Sequence, residues 1–476
     1  MQSRTTSLAL DRKERLATPP QPAPRQPAVE RTHNWNEVFL GFDPDSARAE
    51  AQRCIQCPAA PCTKACPLHN DIPGAFWHLE RGDTLSAAEV FRQTSNMPEI
   101  CGRVCPQEKL CEGACVVGRN GRAKPVQIGK LEQFCADFQR RHQGLPLATV
   151  APSTPTVAIV GAGPAGLAAA EELVRLGHAV TVLDAWPRPG GTLRYGIPSF
   201  KLDKTIIDAK VAQLEAMGVE FVTSMRLHPE LGVRHLLDVG YGAVFLAFGA
   251  VSGNRLGIPG EDLSGVHGAT EFLVRANLSP SELPAAFQNP LSVGERVIVI
   301  GGGDTAMDCV RSAVRLGAKT VSCVYRRSEA EMPGRKEERQ YAREEGVQFH
   351  FLAAPLRLLG EVSVGAVEFI GMELAEPDAR GRRSVRPVAG SEFTIAADTV
   401  VVAAGYHVDE TMAEALEGVE TRSDGVVVVN SETGATNVPG VFAGGDLTSG
   451  PDLVVTAVAA GRRAARAIHE YIGAAG

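Results

Sequence analysis

The sequence contains no run of 18 or more apolar residues, so no segment reads as a membrane-spanning helix. It opens without the charged, apolar and cleavable succession of a secretory signal, which makes a reducing cytoplasm the expected compartment. Basic charge is not in excess: 48 Lys and Arg against 55 Asp and Glu leave a net charge of −7. That balance speaks against nucleic acid or an anionic membrane surface as partner. Cysteine is nearly absent from most of the chain. Of eleven, nine fall between Cys54 and Cys135, and only Cys309 and Cys323 lie in the 341 residues that follow. Those two are separated by thirteen residues and form neither C-x-x-C nor C-x4-C, which counts against a redox-active dithiol in this region. With Cys135 they read as inert buried thiols.

What is present begins with an ordinary globular composition, 44% hydrophobic and 22% charged over 476 residues, enough for about three domains. Residues 1–32 hold few apolar side chains and carry the proline-rich run TPPQPAPRQP at 18–27. They read as a flexible tail without a core of its own.

The sulfur lies in two groups. Cys54-x2-Cys57-x4-Cys62-x3-Cys66-Pro67 is followed, past the helical-looking stretch DTLSAAEVFRQT at 83–94, by Cys101-x3-Cys105-Pro106-x4-Cys111-x3-Cys115. In a reducing compartment such groups are metal ligands or redox groups before they are disulfides. Zinc favours two C-x2-C pairs, and only one exists here. Eight thiolates with C-x2-C and C-x3-C-P elements are what two 4Fe-4S clusters need, the cysteine before proline reaching across to the other cluster. Cys66 is therefore expected to leave its neighbours and serve the second cluster.

Two nucleotide sites follow in tandem. VAIVGAGPAGLAAAEELVRLGHAVTVLD, residues 157–184, runs from an apolar strand through Gly161-Ala162-Gly163-Pro164-Ala165-Gly166 into a helix and a second strand ending at Asp184. Glycines there let the backbone approach a pyrophosphate at the helix N-terminus, and the acid takes ribose hydroxyls. The pattern returns 140 residues later as Gly301-Gly302-Gly303-Asp304-Thr305-Ala306. Its second strand ends not in an acid but in Tyr325, Arg326 and Arg327, and an arginine pair suits a 2′-phosphate. Arg335 and Lys336 stand nearby in sequence. The second site is thus expected to take NADPH. The stretch VPGVFAGGDLTSGPDLVVTAVAAGRRAA, 438–465, offers a strand, Gly445, Asp446 and an apolar helix. Such a segment closes back on a flavin, which makes the first site the FAD site. AVFLAFGA at 243–250 and TVVVAAGY at 399–406 look like paired crossovers.

On ICGRVCPQEKLCEG, GAGPAGLAAAEEL, YGIPSFKL, GGGDTAMDCVR, YRRSEAEMPG and FAGGDLTSGPDLVVTA the chain resembles the small, or β, subunit of NADPH-dependent glutamate synthase from about residue 35 onward. The same module is similar to the N-terminal part of dihydropyrimidine dehydrogenase and to a subunit of bifurcating ferredoxin:NADP oxidoreductases. The resemblance implies one cluster on Cys54, Cys57, Cys62 and Cys115, and another on Cys66, Cys105, Cys111 and Glu132, leaving Cys101 unligated. Spacing alone favours Cys101 over Glu132. Gly191, Lys201 and Val454 are assigned to cofactor binding with the loop residues above.

The expected fold is α/β. An N-terminal α-helical two-cluster domain spans 33–150. An FAD-binding Rossmann-like (βαβ) domain spans 151–253 and 405–476, and an NADPH-binding one, 254–404, is inserted in it in a glutathione-reductase-like arrangement. The expected chemistry is hydride transfer from NADPH to FAD and single-electron transfer through the clusters, with no catalytic side chain. The resemblance supplies the acceptor, a large α subunit that makes two L-glutamate from L-glutamine and 2-oxoglutarate. Rival readings are another acceptor subunit, a stand-alone diaphorase and a zinc-stapled docking module.

Overall fold

The computed structural model describes residues 10–119, 121, 123–148, 153–378 and 383–475. Its N-terminal part is helical. Asp43 accepts from the Asp45 and Ser46 N–H groups ahead of helix Pro44–Gln52, and Asp71 and Asp83 do the same for helices Ile72–Leu79 and Thr84–Arg92. Each acid satisfies an N–H that the first turn leaves open. The longest helix of this part, Ile128–Gln143, buries Leu131, Phe134 and Cys135 in a core with Phe76, Leu79 and Phe91.

Among the described residues fifteen strands follow in chain order: β1 (Ser153–Val160), β2 (His178–Leu183), β3 (Glu220–Val222), β4 (Ala243–Leu246), β5 (Ser252–Gly253), β6 (Val266–Gly268), β7 (Arg296–Ile300), β8 (Thr320–Tyr325), β9 (Gln348–Phe351), β10 (Ala353–Leu359), β11 (Ala366–Pro377), β12 (Arg383–Ala396), β13 (Thr399–Val402), β14 (Tyr406–His407) and β15 (Val441–Ala443). One parallel sheet is ordered β15-β4-β1-β2-β3 and a second β6-β13-β7-β8-β9, with β10-β11-β12 as an antiparallel annex. The apolar runs of β1, β4, β7 and β13 are central and buried on both faces, as parallel strands covered by helices must be. The chain passes between the two sheets on β5 and returns on β14, and these two strands pair antiparallel with each other. The observed class is the α/β class expected, with its helical N-terminal domain. Among the described residues no helix is long and apolar enough to cross a membrane.

Residues 10–32 depart from the expectation of a free tail; residues 1–9 lie outside the described part. Asp11 caps a helix at Arg12–Ala17, and Arg15 reaches the Cys54 carbonyl at 2.8 Å and the Glu80 carboxylate at 2.7 Å. The proline-rich run lies alongside residues 38–40, with Gln26 N–H on Val38 O and Leu40 N–H on Pro24 O, both 2.9 Å. Arg31 is 1% exposed and ends on Glu344 and Glu345. Composition is silent on this because the segment is held by arginines and backbone groups rather than by a core of its own.

Candidate functional site

The first glycine loop leaves β1 with Gly161 at φ 106°, where a Cβ would meet Ala247 O at 2.6 Å. A Cβ on Gly166 would meet Gly161 O at 1.9 Å, so the helix Pro164–Arg175 starts close against the turn. At Gly163 a Cβ would meet nothing within 4 Å. That open cradle before a helix N-terminus is what a pyrophosphate needs, and the residues present fit the diphosphate of FAD. The Asp184 carboxylate accepts from the Ala162 N–H at 2.6 Å and the Trp186 N–H at 2.8 Å, while burial pushes its carboxyl above the usual range.

From the other side, Gly191 sits at φ 50° with its Cβ position 2.8 Å from Gly163 Cα, and Gly445 at φ 70° faces the Ala165 side chain at 3.1 Å. Asp446 follows, pushed up to about 7 by burial. Helix Val454–Ala475 lies against Pro164–Arg175 so closely that a Cβ on Gly461 would meet Ala165 O at 2.1 Å. The residues expected here therefore converge, with one exception. Lys201 gives its ammonium to Asp308 at 2.8 Å and lies 3.9 Å from Glu338, which puts it at the seam with the second nucleotide fold.

The second loop repeats the geometry. A Cβ on Gly301 would meet Ala403 O at 2.3 Å, one on Gly302 would meet the Tyr325 ring at 2.5 Å, and one on Gly303 would meet nothing within 4 Å. Asp304 accepts from the Arg335 N–H at 3.0 Å, Thr305 stands beside the Tyr406 hydroxyl, and Ala306 is buried. Arg326 is exposed at the end of β8, and Arg327, half-buried, has its Nε unpartnered. Arg335 turns elsewhere: its guanidinium donates to Arg103 O at 3.2 Å in the cysteine-bearing domain, and the Lys336 N–H meets Glu108 there at 3.0 Å.

The cysteines form two neighbourhoods. Cys54 lies within electrostatic reach of Cys62, Cys115 and Cys57, and burial chiefly pushes its thiol up to about 12. Cys66 follows helix Pro61–Ala65 in extended backbone, its N–H on the Cys62 carbonyl at 3.1 Å. Burial chiefly pushes its thiol up to about 11, with the Asn70 N–H opposing the rise and Glu132 and Cys101 adding to it. Cys105 lies beside Cys101 and near Glu132 and Cys111. Glu132 is buried, accepts from Asn70 Nδ2 at 3.2 Å, and is raised to about 8 by burial first and Glu99 second. Among the described residues no three such side chains converge as a single ion would require. Two looser sets of soft donors suit polynuclear iron–sulfur clusters.

Sequence spacing carries no signal for the groups that join the domains. Lys201–Asp308, Lys130–Glu337 at 2.8 Å and Arg31–Glu345 at 2.7 Å pair residues more than a hundred positions apart. Lys210, fully buried, bridges Glu171, Gln213 and the Asn96 carbonyl. Arg462 reaches Asn96 Oδ1 at 2.8 Å.

Two family models match: "dihydropyrimidine dehydrogenase domain II, 4Fe-4S cluster" over residues 31–144 and "pyridine nucleotide-disulphide oxidoreductase" over 155–461. The glutamate synthase (NADPH) small chain of Halomonas elongata is 41% identical over 456 residues, covering 94% of this chain and 95% of that one. This chain belongs to the glutamate synthase small-chain family. It is an oxidoreductase, and its cofactors are FAD, NADPH and 4Fe-4S clusters. A further relative of this small-chain family member is the NADPH-Fe(3+) oxidoreductase subunit beta of Geobacter sulfurreducens, 33% identical over 94% of this chain and 69% of that one. Among solved structures, Mycobacterium tuberculosis FprA in complex with NADPH matches with a TM-score of 0.57 at 22% identity, over 68% of this chain and 85% of that one. That likeness concerns the fold of the two nucleotide domains.

Proposed function

We propose that this chain is the NADPH-oxidising, electron-exporting subunit of a cytoplasmic glutamate synthase, working beside a large subunit that converts L-glutamine and 2-oxoglutarate into two L-glutamates. The observation that carries the reading is one shared core. Cys66, Cys101 and Cys105, with Leu68, Met97 and Ile100, pack in the same apolar cluster as Ala162, Ala165, Leu193 and Ala457 of the first nucleotide fold. Cys54, Cys62, Cys111 and Cys115 belong to the N-terminal core instead, and Cys57 is half-buried. Two thiolates of the second set, Cys66 and Cys105, thus pack against the flavin domain, while Cys111 lies with the first set in the N-terminal core.

Bound in these sites, FAD would supply the exchange between a two-electron hydride from NADPH and single electrons, and 4Fe-4S clusters would carry the latter. The chain's own residues hold and exclude. Gly161, Gly163 and Gly166 admit the FAD diphosphate to the helix N-terminus, and Asp184 and Asp446 supply carboxylates along the flavin nucleotide. Gly301, Gly303 and Ala306 do the same for NADPH. Cys54, Cys57, Cys62 and Cys115 hold one cluster, and Cys66, Cys105, Cys111 and Glu132 the other. Lys201, paired with Asp308, keeps the two nucleotide folds in register.

Arg326 and Arg327 are assigned the 2′-phosphate. Replacing both by alanine should raise KM for NADPH roughly 10- to 100-fold, the loss of charge-assisted hydrogen bonds worth about 1.5–3 kcal/mol. Oxidation of NADH should be unchanged. Steady-state kinetics with both nucleotides checks this, and an unaltered NADPH/NADH ratio would remove the pair from the site.

The function is tested by NADPH oxidation in the complex isolated anaerobically from its native cells, with and without L-glutamine plus 2-oxoglutarate. Acceleration by the pair with accumulation of glutamate supports the reading. If NADPH reduces the flavin and the pair changes nothing, the chain serves a different acceptor, and the glutamate assignment falls.

A further inference from the structure

The loop that carries Cys54, Cys57 and Cys62 contains three buried polar atoms with no hydrogen-bond partner: Oε1 and Nε2 of Gln56, and Oγ1 of Thr63. Among the described residues Gln56 is the one side chain with two such atoms. Arg53 Nε, next to Cys54, and Glu99 Oε1, near Cys101, are unpartnered as well. Asn70, beside the second set, gives its amide to Glu132 at 3.2 Å and takes the Thr94 hydroxyl at 2.6 Å. An unpaired buried amide is costly, and it persists where a ligand or a redox group supplies the missing partner.

The backbone of the same residues already turns toward sulfur. Gln56 stands at φ 51°, a left-handed conformation that a side-chain-bearing residue adopts only when held there. Its N–H lies close enough to the Cys54 sulfur to favour the thiolate against burial. The Thr63 N–H stands in the same relation to the Cys62 sulfur. Both unpartnered side chains therefore grow from backbone positions whose amides lie close to the sulfur of a neighbouring cysteine.

We propose that the Gln56 amide and the Thr63 hydroxyl donate hydrogen bonds to the sulfurs of the cluster held by Cys54, Cys57, Cys62 and Cys115, and thereby raise its reduction potential relative to the bare four-thiolate site. The inference rests on the ligand reading given above. An amide oxygen only accepts and gains nothing from sulfur, so the NH2 end is the one turned inward. Reduction adds negative charge that the sulfurs share, and a donor at sulfur stabilises the reduced state more than the oxidised one. Gln56 and Thr63 tune the group without ligating it.

The test is an EPR-monitored redox titration of the holoprotein, wild type beside Gln56→Leu and Thr63→Val, with iron and acid-labile sulfide counted in each. Gln56→Leu should shift the reduction equilibrium of one cluster at least tenfold toward the oxidised form, about 59 mV for one electron. The other cluster should be unmoved. Wild-type protein carrying 15N in its glutamine amides should show a side-chain nitrogen coupled to the reduced cluster by pulsed EPR, a measurement that needs no variant and decides the matter if Gln56→Leu loses its iron. Full iron and sulfide with unmoved potentials and no coupled amide nitrogen would overturn the inference. Absence of clusters from the wild type would overturn the ligand reading beneath it.

Discussion

Replacing Glu345 by alanine should cost about 3–5 kcal/mol of stability, because it leaves three buried guanidinium groups without their shared partner. Its carboxylate meets Arg31 Nε at 2.7 Å, Arg311 Nη2 at 2.9 Å and Arg315 Nη1 at 2.8 Å. No side chain of the four is more than 1% exposed. Arg31 comes from the N-terminal segment, so the loss should also release that segment from the second nucleotide fold. Calorimetry and limited proteolysis near residue 20 read the two effects, and a melting temperature within a degree of wild type would sink the argument.

The same network predicts an acid limit. Burial pushes the Glu345 carboxyl up, but Arg311 and Arg315 more than reverse this and leave it at about 2. Glu338 behaves alike under Lys201, Arg311 and Arg335. Both groups are held below their ordinary value of 4.5. Their contribution is thus fully present above that pH, where the unfolded chain is also ionised, and is lost as pH falls toward 2. The wild type should lose stability steeply over that window and Glu345→Ala less so.

A valine at Gly163 should yield a folded protein that has lost most of its flavin. A Cβ there meets no protein atom within 4 Å, so the protein itself has little reason to resist it. The larger side chain instead fills the space assigned to the FAD diphosphate, and the affinity should drop at least tenfold, about 1.4 kcal/mol or more. The contrast is Gly166→Val, where a Cβ would already lie 1.9 Å from Gly161 O and the fold must move. Flavin content and circular dichroism of both variants separate the two effects. Stoichiometric flavin in Gly163→Val would show that this loop is not the FAD cradle.

Much of this was legible before any coordinates, for a physical reason. Glycines that must take φ values such as 106° at Gly161, or admit backbone approach as at Gly166, cannot be exchanged for other residues without strain. Apolar strands buried on both faces leave uninterrupted runs, and thiolate ligands leave cysteine spacings. These are local requirements, so they appear locally. The N-terminal segment was misread because its anchors, Arg15 and Arg31, are charged residues of a kind that composition places in water.

What the sequence by itself determined is therefore the set of parts: two glycine loops followed by helices, the cysteine groups, and the β5–β14 crossover region between paired strands. Which parts meet was decided by tertiary structure. Cys66 stands within reach of Glu132, sixty-six positions away. Lys201 faces Asp308, and Arg31 faces Glu345. The physical reason is that a buried ion pair or a shared thiolate set constrains two side chains in space and places no condition on the residues between them.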